Sequence, residues 1–489
     1  MKPPLWLTVV GRSVILAIVI AGVCVAGTGA GKIPITTSSE TAEKYFIQGR
    51  ELSENLRGTE STEYFRKAVE ADPDFAMAHL YLAFAAPTTN EFFDEIDKTR
   101  ALMNRVSEGE QLFINSNVAA AYGKTAESRE MLEKLVQLYP EDERALYTLG
   151  TDHFVRQEYS DAMKYYERAV KINPDYAPTY NEMGYTYRRM GDMEKAKIAF
   201  QKYIELIPDD PNPYDSYAEL LLKMGQFDES ITQYQKALDL DPYFTTSHFG
   251  IATNLCMKGD YDAAHKHVDE AYKKGRHDAE KRAALTAKAI VYIDQGNHDM
   301  AMDVVQKRHY IARESQDPLA MAADMELLGA LLIETGKYDS AAIMYMKACD
   351  IVANAELDPM IKKLQDIDYL FEMGWVYTEK ADLDKAKENA QKYLAEVQAL
   401  RDRNRIRTAH QLMGQIALAE KNYEKAVSEL NQANLENPYN HYRLAMAHKG
   451  LGDKQKAQEY CDKAANSNAV NNMAYAMIRH KAKKMTTSL

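Results

Sequence analysis

Residues 180–203 read YNEMGYTYRRMGDMEKAKIAFQKY, a helical pattern in which Gly184, Gly191 and Ala196 stand out as small residues. From Gly150 to Gly184 is a step of 34 residues, and several other positions recur with the same step. Such a period indicates one structural unit repeated in tandem. Five registers carry it: Gly150, Gly184, Ala218 and Ala252; Gly191, Gly225 and Gly259; Ala162, Ala196, Ser230 and Ala264; Tyr166, Phe200 and Tyr234; Pro174, Pro208 and Pro242.

This pattern resembles the tetratricopeptide repeat, a pair of antiparallel helices with small residues, an aromatic residue and a proline at fixed positions. The resemblance implies an all-α fold, a right-handed α-solenoid of about twelve helix pairs with a C-terminal capping helix. Gly184 would lie where two helix axes pass closely, with Ala196 filling the matching gap. Phe200 would be wedged between adjacent repeats. Gly191 would end the first helix in a left-handed conformation, and Pro208 would end the second.

The repeats divide the chain into segments. We expect a regular 34-residue array over residues 42–276 and a longer-stride array over 277–468, with longer helices or inserted turns and a bend near 277–282. Residues 31–41 are predicted to be a polar linker. Residues 469–489 are predicted to be a capping helix and tail, because a solenoid must shield its last apolar face. The longer stride follows the small residues Ala264, Ala301, Ala341, Ala386, Ala426 and Ala457.

The N-terminus has a different composition. Lys2 and Arg12 precede an uncharged apolar run at residues 14–26, and small residues follow it. A basic start, a short apolar run and a small-residue exit predict that residues 1–30 are a secretory signal peptide, with a cleavage site at residues 28–30. The apolar run is shorter than the roughly 20 residues that a bilayer-spanning helix needs.

Two alternatives to cleavage stay open for this segment. It could be retained as an N-terminal anchor, or it could be acylated at Cys24 as in bacterial lipoproteins, although Val23 precedes that cysteine where lipoprotein signals carry a small residue. All three interpretations predict an exported protein, periplasmic or secreted and possibly membrane-anchored. Membrane contact is expected only through this segment.

Composition narrows the classes of partner. The chain has 489 residues and a formal net charge of −12 at pH 7. Nucleic-acid binding needs clustered Lys and Arg residues, so no nucleic-acid partner is expected. Beyond the N-terminal segment, the cysteines are Cys256, Cys349 and Cys461. Their number and wide spacing fit neither a disulfide framework nor a zinc site, and small buried side chains are the better interpretation.

The sequence offers no motif for catalysis. It contains no phosphate-binding loop, dinucleotide glycine motif, GxSxG or HExxH, and every long segment already belongs to a repeat. His265 and His267 would project to different sides of one helix, so they are interpreted as surface residues and not as metal ligands. Most of the 23 methionines fall at helical core spacing. We therefore expect no enzyme activity, no cofactor and no metal.

The predicted binding site is the concave groove of the solenoid. In the family, this groove is lined by the first helix of each pair, and a row of helices there can hold one extended ligand. The resemblance does not extend to the family's Lys and Asn clamp for a C-terminal carboxylate, because other residue types occupy most of its leading positions. The expected lining is Tyr147, Thr151, Asn181, Tyr185, Arg188, Asp215, Glu219, Phe249 and Thr253.

These features predict a non-enzymatic scaffold or adaptor of the cell envelope that binds extended segments of other proteins. An alternative from a different class is a carrier or receptor for a small ligand or glycan held inside the superhelix.

Overall fold

A computed structural model describes residues 31–470 and 472–488. The predicted signal peptide, including Cys24, lies outside these residues. The described part contains 25 α-helices, one short 3-10 turn and no strand, which confirms an all-α solenoid of helix pairs. No described helix is both long enough and apolar enough to cross a bilayer. The helices are α1 Glu40–Glu54, α2 Gly58–Ala71, α3 Ala76–Ala85, α4 Thr89–Leu102, α5 Glu108–Ala121, α6 Thr125–Leu138, α7 Glu143–Val155, α8 Tyr159–Ile172, α9 Ala177–Met190, α10 Met193–Leu206, α11 Asn212–Lys223, α12 Phe227–Leu240, α13 Thr245–Lys258, α14 Tyr261–Lys274, α15 Asp278–Asp294, α16 His298–Glu314, α17 Pro318–Glu334, α18 Tyr338–Asn354, α19 Pro359–Glu379, α20 Leu383–Ala399, α21 Arg403–Ala419, α22 Tyr423–Leu430, α23 Pro438–Gly450, α24 Lys454–Ala465 and α25 Met473–Thr486.

The described chain forms two compact units. The N-terminal unit comprises residues up to 220 together with 232–244, and the C-terminal unit comprises 221–231 and everything from 245 onward. Helices α11 and α12 therefore contribute residues to both units. The division falls ahead of the change in stride at residue 277, and the bend expected near 277–282 stays a prediction.

The opening stretch forms α9 and α10 as the repeat pattern requires. Gly191 ends α9 with φ +84°, a left-handed conformation that glycine adopts without a steric penalty. The side chain of Asp192 then accepts a hydrogen bond from the Lys195 N–H at 3.1 Å and caps α10. Helix α10 ends at Leu206, and Pro208 lies beyond it.

The position of Gly184 has no room for a side chain, because an aromatic ring covers it. A Cβ atom at this position would lie 2.7 Å from ring atoms of Phe200, which is fully buried. Phe200 also packs with Leu220 of the following first helix, so one ring joins both helices of its own pair to the next pair. The same glycine–aromatic contact occurs at Gly49 with Phe65, Gly150 with Tyr166, and Gly329 with Tyr345.

Replacing Gly184 with leucine is expected to lower the free energy of unfolding of the N-terminal unit by about 1–3 kcal/mol, because the new side chain overlaps the buried Phe200 ring. Urea unfolding followed by far-UV circular dichroism measures the change. Gly58→Ala is the matched control, since nothing lies within 4 Å of a Cβ at Gly58. Equal transitions for the two variants would contradict the role given to this glycine.

The longer stride arises from longer helices. Helices α8, α9 and α10 have 14 residues each, whereas α15 to α18 have 17 each and α19 has 21. Three added residues make nearly one helical turn, so the apolar face stays directed at the same neighbours. Residues 309–314 are the continuous end of α16, with no inserted turn.

The C-terminal unit contains a buried ionic cluster that the sequence did not indicate. Asp324 of α17, fully buried, accepts a hydrogen bond from Arg282 Nη1 of α15 at 2.7 Å. Arg308 Nη1 of α16 lies 3.1 Å from the other carboxylate oxygen. Burial lowers the pKa of Arg308 to about 10, and the neighbouring Arg282 charge adds to the effect. One carboxylate thus pairs with two guanidinium groups where α15, α16 and α17 pack together.

Candidate partner-binding site

The nine predicted groove residues lie on the first helices of four consecutive pairs. Seven of them, from α7, α9 and α11, belong to the N-terminal unit, and Phe249 and Thr253 on α13 belong to the C-terminal unit. The two sets are therefore described separately.

In the N-terminal unit, Tyr147 and Thr151 are buried in the core. The ring of Tyr147 packs against Tyr166 at 6.0 Å and Tyr176 at 5.7 Å between centroids. Thr151 accepts a hydrogen bond from the Tyr166 hydroxyl at 3.3 Å. Burial raises the pKa of Tyr147 well above its ordinary value. Both residues stabilise helix packing in this structure, and a binding role for them stays a prediction.

Three other predicted residues form a connected polar surface across α9 and α11. The guanidinium of Arg188 lies over the Tyr185 ring, 4.6 Å from its centroid, and donates to Glu219 Oε2 at 3.0 Å. The Tyr185 hydroxyl donates to Ser216 Oγ at 3.2 Å. Aromatic and arginine side chains held in this way are typical anchors of protein interfaces. Asp215 lies on the same helix as Glu219 and is buried.

Asn181 and its neighbour Glu182 are polar residues buried in α9. The Asn181 Oδ1 atom has no hydrogen-bond partner among the described residues. Burial raises the pKa of the Glu182 carboxyl to about 7, while Arg188 acts in the opposite direction. An acceptor without a partner costs free energy in the folded state. Asn181 Oδ1 is therefore a buried acceptor that a donor group of a ligand would satisfy, and its place in a binding groove stays a prediction.

In the C-terminal unit, Phe249 and Thr253 are covered by a distant part of the same chain. Both line a small cavity whose other wall includes Asn472, Tyr475 and Ala476 from the C-terminal segment. The periodicity of the repeats could not predict that the C-terminal segment covers Phe249 and Thr253. The contact forms because the end of the chain folds back onto an earlier repeat.

Residues 31–39, expected to belong to a polar linker, lie in extended form along the N-terminal unit. The Ile33 N–H donates to Asp142 Oδ2 at 2.8 Å, the Thr36 N–H to Glu110 Oε1 at 2.8 Å, and the Ser38 N–H to Asp72 Oδ2 at 2.9 Å. Asp142 directly precedes α7, Glu110 lies in the first turn of α5, and Asp72 lies between α2 and α3. In addition, Lys32 forms an ion pair with Glu143. Three repeats thus hold one extended segment through its main chain.

These acidic acceptors were missed in the sequence. Asp142 could have been recognised as a helix cap, since it follows a proline and precedes a helical pattern. Its bond to Ile33 spans 109 positions, which no local pattern can reveal. Burial opposes ionisation of Asp72, but hydrogen bonds from Thr37 and Ser38 hold the pKa of its carboxyl below the ordinary value.

Candidate metal ligands are already engaged with cations or other polar groups. His153, Glu158 and Asp161 place their ligand atoms within 4.8 Å of one another. However, Arg129 Nη1 lies 2.7 Å from Glu158, and Lys164 Nζ lies 2.7 Å from Asp161. Arg129 and Lys164 neutralise the two carboxylates, so the three residues form part of an ion-pair network.

The histidines and cysteines that were considered as metal ligands in the sequence contact different parts of the fold. His265 packs on the Tyr292 ring, whereas His267 faces His248, so the two do not converge. Both are half-buried, more than the surface interpretation implied. Cys256 and Cys461 are buried as predicted, and Cys349 is partly buried.

Sequence comparison identifies tetratricopeptide repeats in this chain. Residues 177–210, 212–244 and 438–471 match one sequence model of the tetratricopeptide repeat, and residues 143–176 match another. These matches cover less than half of the chain. No curated protein matches it.

Several solved structures are similar to this chain. The Cut9-Hcn1 hetero-tetramer of the APC/C is 15% identical, with a TM-score of 0.42, covering 88% of this chain and 78% of that one. A tetratricopeptide repeat protein from Parabacteroides merdae is 17% identical, with a TM-score of 0.36, covering 54% of this chain and 98% of that one. MamA from Desulfovibrio magneticus is 19% identical, with a TM-score of 0.29, and the match covers 33% of this chain and 92% of that one.

Proposed function

We propose that this chain, which contains tetratricopeptide repeats, is a non-enzymatic scaffold or adaptor of the bacterial cell envelope that binds segments of other proteins. The observation that carries the proposal is the extended segment 31–39 on the N-terminal unit. Three carboxylates on successive repeats accept its backbone N–H groups. A surface that holds main-chain groups in this way suits peptide ligands of varied sequence.

The polar surface of α9 and α11 supplies the specific anchors in this proposal. Arg188, Tyr185 and Glu219 are held by one another and so need little ordering when a partner binds. Helix pairs follow one another from residue 40 to residue 465, which supports a role in binding over one in catalysis.

The envelope location rests on the N-terminal sequence, with its basic start and short apolar run. Intact mass spectrometry of the protein from membrane and soluble fractions tests it. Loss of about 30 residues supports cleavage, added lipid mass supports acylation at Cys24, and an unchanged chain in the membrane fraction supports an anchor. An unchanged chain in the cytosolic fraction would contradict export.

A carrier of a small ligand is the second candidate, favoured by buried polar groups inside the N-terminal unit. Arg50 is 2% exposed, and its Nε and Nη2 atoms have no hydrogen-bond partner in the described part of the chain. Native mass spectrometry of the purified protein separates the two functions. A stoichiometric polypeptide supports the adaptor, and a bound small molecule without a polypeptide supports the carrier.

Arg188→Gln is expected to reduce the captured stoichiometric polypeptide at least tenfold, because the variant loses the charge that anchors the α9–α11 surface. Quantitative mass spectrometry of co-purified proteins measures the loss. Because the side chains of Arg188 and Glu219 are largely buried, the melting temperature should fall by about 2–4 °C for each kcal/mol lost, so capture is compared at a temperature at which every variant is folded. Arg189→Ala, an exposed neighbour on α9, is the control. Equal capture by both variants would exclude this surface as the binding site.

A further inference from the structure

The final helix α25 is enclosed by the C-terminal unit. Every residue from Met473 to Arg479 is buried, on all sides of the helix. A helix that only capped the last pair would be buried along one face. Helix α25 packs on α23 and α24, as a cap would, and also on α15, which lies far earlier in the chain.

Arg479 anchors this helix to the repeats. Its Nε donates to Asp294 Oδ1 at 2.7 Å, and its Nη2 contacts the other oxygen of the same carboxylate. Arg479 and Asp294 are 2% and 3% exposed. The same Nη2 lies 3.3 Å from the Cys256 carbonyl oxygen and from the Tyr261 hydroxyl. A buried bidentate pair of this kind is specific in geometry.

Two further side chains fix the helix on either side of Arg479 along the chain. One turn before Arg479, the Tyr475 hydroxyl donates to the Ala465 carbonyl at 2.8 Å. Beyond it, Lys481 Nζ lies 2.6 Å from Glu334 Oε2 of α17. The repeats therefore offer two acidic points, Asp294 and Glu334, to one basic helix.

The fit between this helix and the repeats is incomplete. A cavity of about 20 Å³ remains between Phe249, Thr253 and Asp294 on one side and Tyr475 and Ala476 on the other. This volume is enough for one water molecule. The seven-residue connector 466–472 joins the helix to α24 and is not helical in its described part. The helix is thus held by its buried apolar side chains and by these polar contacts, at the end of a short tether.

We propose that the surface on which α25 lies, formed by α13, α15, α17, α23 and α24, is a docking site for a basic amphipathic helix of a partner protein, and that α25 occupies it as an internal competitor. The partner would present an arginine to Asp294, with an aromatic residue one turn before it. This inference rests on the proposed adaptor function and adds, in the C-terminal unit, a site for a helical segment of a partner. Because a tethered competitor acts at an effective concentration in the millimolar range, the partner must bind strongly enough to displace it.

A synthetic peptide of residues 472–488 with a fluorescent label tests the proposal on the full chain. We expect it to bind Arg479→Gln at least tenfold more tightly than the unchanged protein, because the variant leaves Asp294 unpaired and the peptide restores its partner. A peptide carrying Arg479→Asp should bind neither chain. Fluorescence of Trp375, which is buried in the same unit, confirms that the variant is folded. Equal peptide affinity for both chains would overturn the proposal.

A second experiment covers the case in which Arg479→Gln fails to fold. A site-specific protease site inserted after Asn466 in the unchanged chain allows the connector to be cut after folding. We expect the labelled peptide to replace the cut helix, and light scattering should show a monomer. A cut helix that never exchanges would be a permanent part of the core, and an exchange of helices between two copies would make the occupant a second copy. Either result overturns the proposal. The co-purification experiment on Arg188→Gln tests the N-terminal unit. Its result decides the adaptor function independently of the peptide experiments on the C-terminal unit.

Discussion

Replacing Asp324 with alanine is expected to lower the free energy of unfolding of the C-terminal unit by about 3–5 kcal/mol. The variant removes the carboxylate that pairs with the buried Arg282 and Arg308, and the desolvation of these charges is then uncompensated. Urea unfolding monitored by Trp375 fluorescence measures the change, because this tryptophan is 6% exposed within the same unit.

Asp339→Ala is the matched control for this experiment. Asp339 lies on the next helix, α18, and forms an ion pair with Lys380, but its side chain is 86% exposed. Exposed pairs contribute about 0–1 kcal/mol. Asp324→Asn, which keeps the shape and removes the charge, should resemble Asp324→Ala. If the Asp324 variants unfold at the same urea concentration as Asp339→Ala, the cluster does not stabilise the unit.

Replacing Glu182 with glutamine is expected to make the N-terminal unit less sensitive to pH. Burial raises the pKa of Glu182 from its ordinary value of 4.5 to about 7, so the folded state binds a proton that the unfolded state has lost. The contribution of this group to stability therefore falls as pH rises from about 4.5 to about 7. Between pH 5 and pH 8, the unchanged protein should lose about 2–3 kcal/mol relative to Glu182→Gln.

Urea unfolding at the two pH values, followed by circular dichroism, measures this difference. The unfolding transition of the N-terminal unit is identified as the one that the Gly184→Leu substitution shifts. Glu167→Gln is the control, because Glu167 is exposed on the neighbouring helix α8. A stability difference between the unchanged protein and Glu182→Gln that is the same at pH 5 and pH 8 would show that Glu182 is ionised in the folded state.

The helix pairs could be predicted because their signals are local. Gly191 adopts a left-handed conformation at the end of its own helix, and Phe200 covers Gly184 within the same pair. The candidate site was less predictable. Tyr185, Arg188 and Glu219 form one polar surface, but Tyr147 and Thr151 pack in the core. Their exposure depends on how closely successive pairs pack, which a repeat pattern does not specify.

The sequence by itself determined that the chain is a series of helix pairs, because small residues, turn glycines and prolines act within one repeat. Only the tertiary structure decided which parts of the repeat surfaces are occupied. Arg479 meets Asp294 across 185 positions, and Lys32 meets Glu143 across 111. Such contacts depend on where the folded units bring distant charges together, and the repeat period contains no information about that placement.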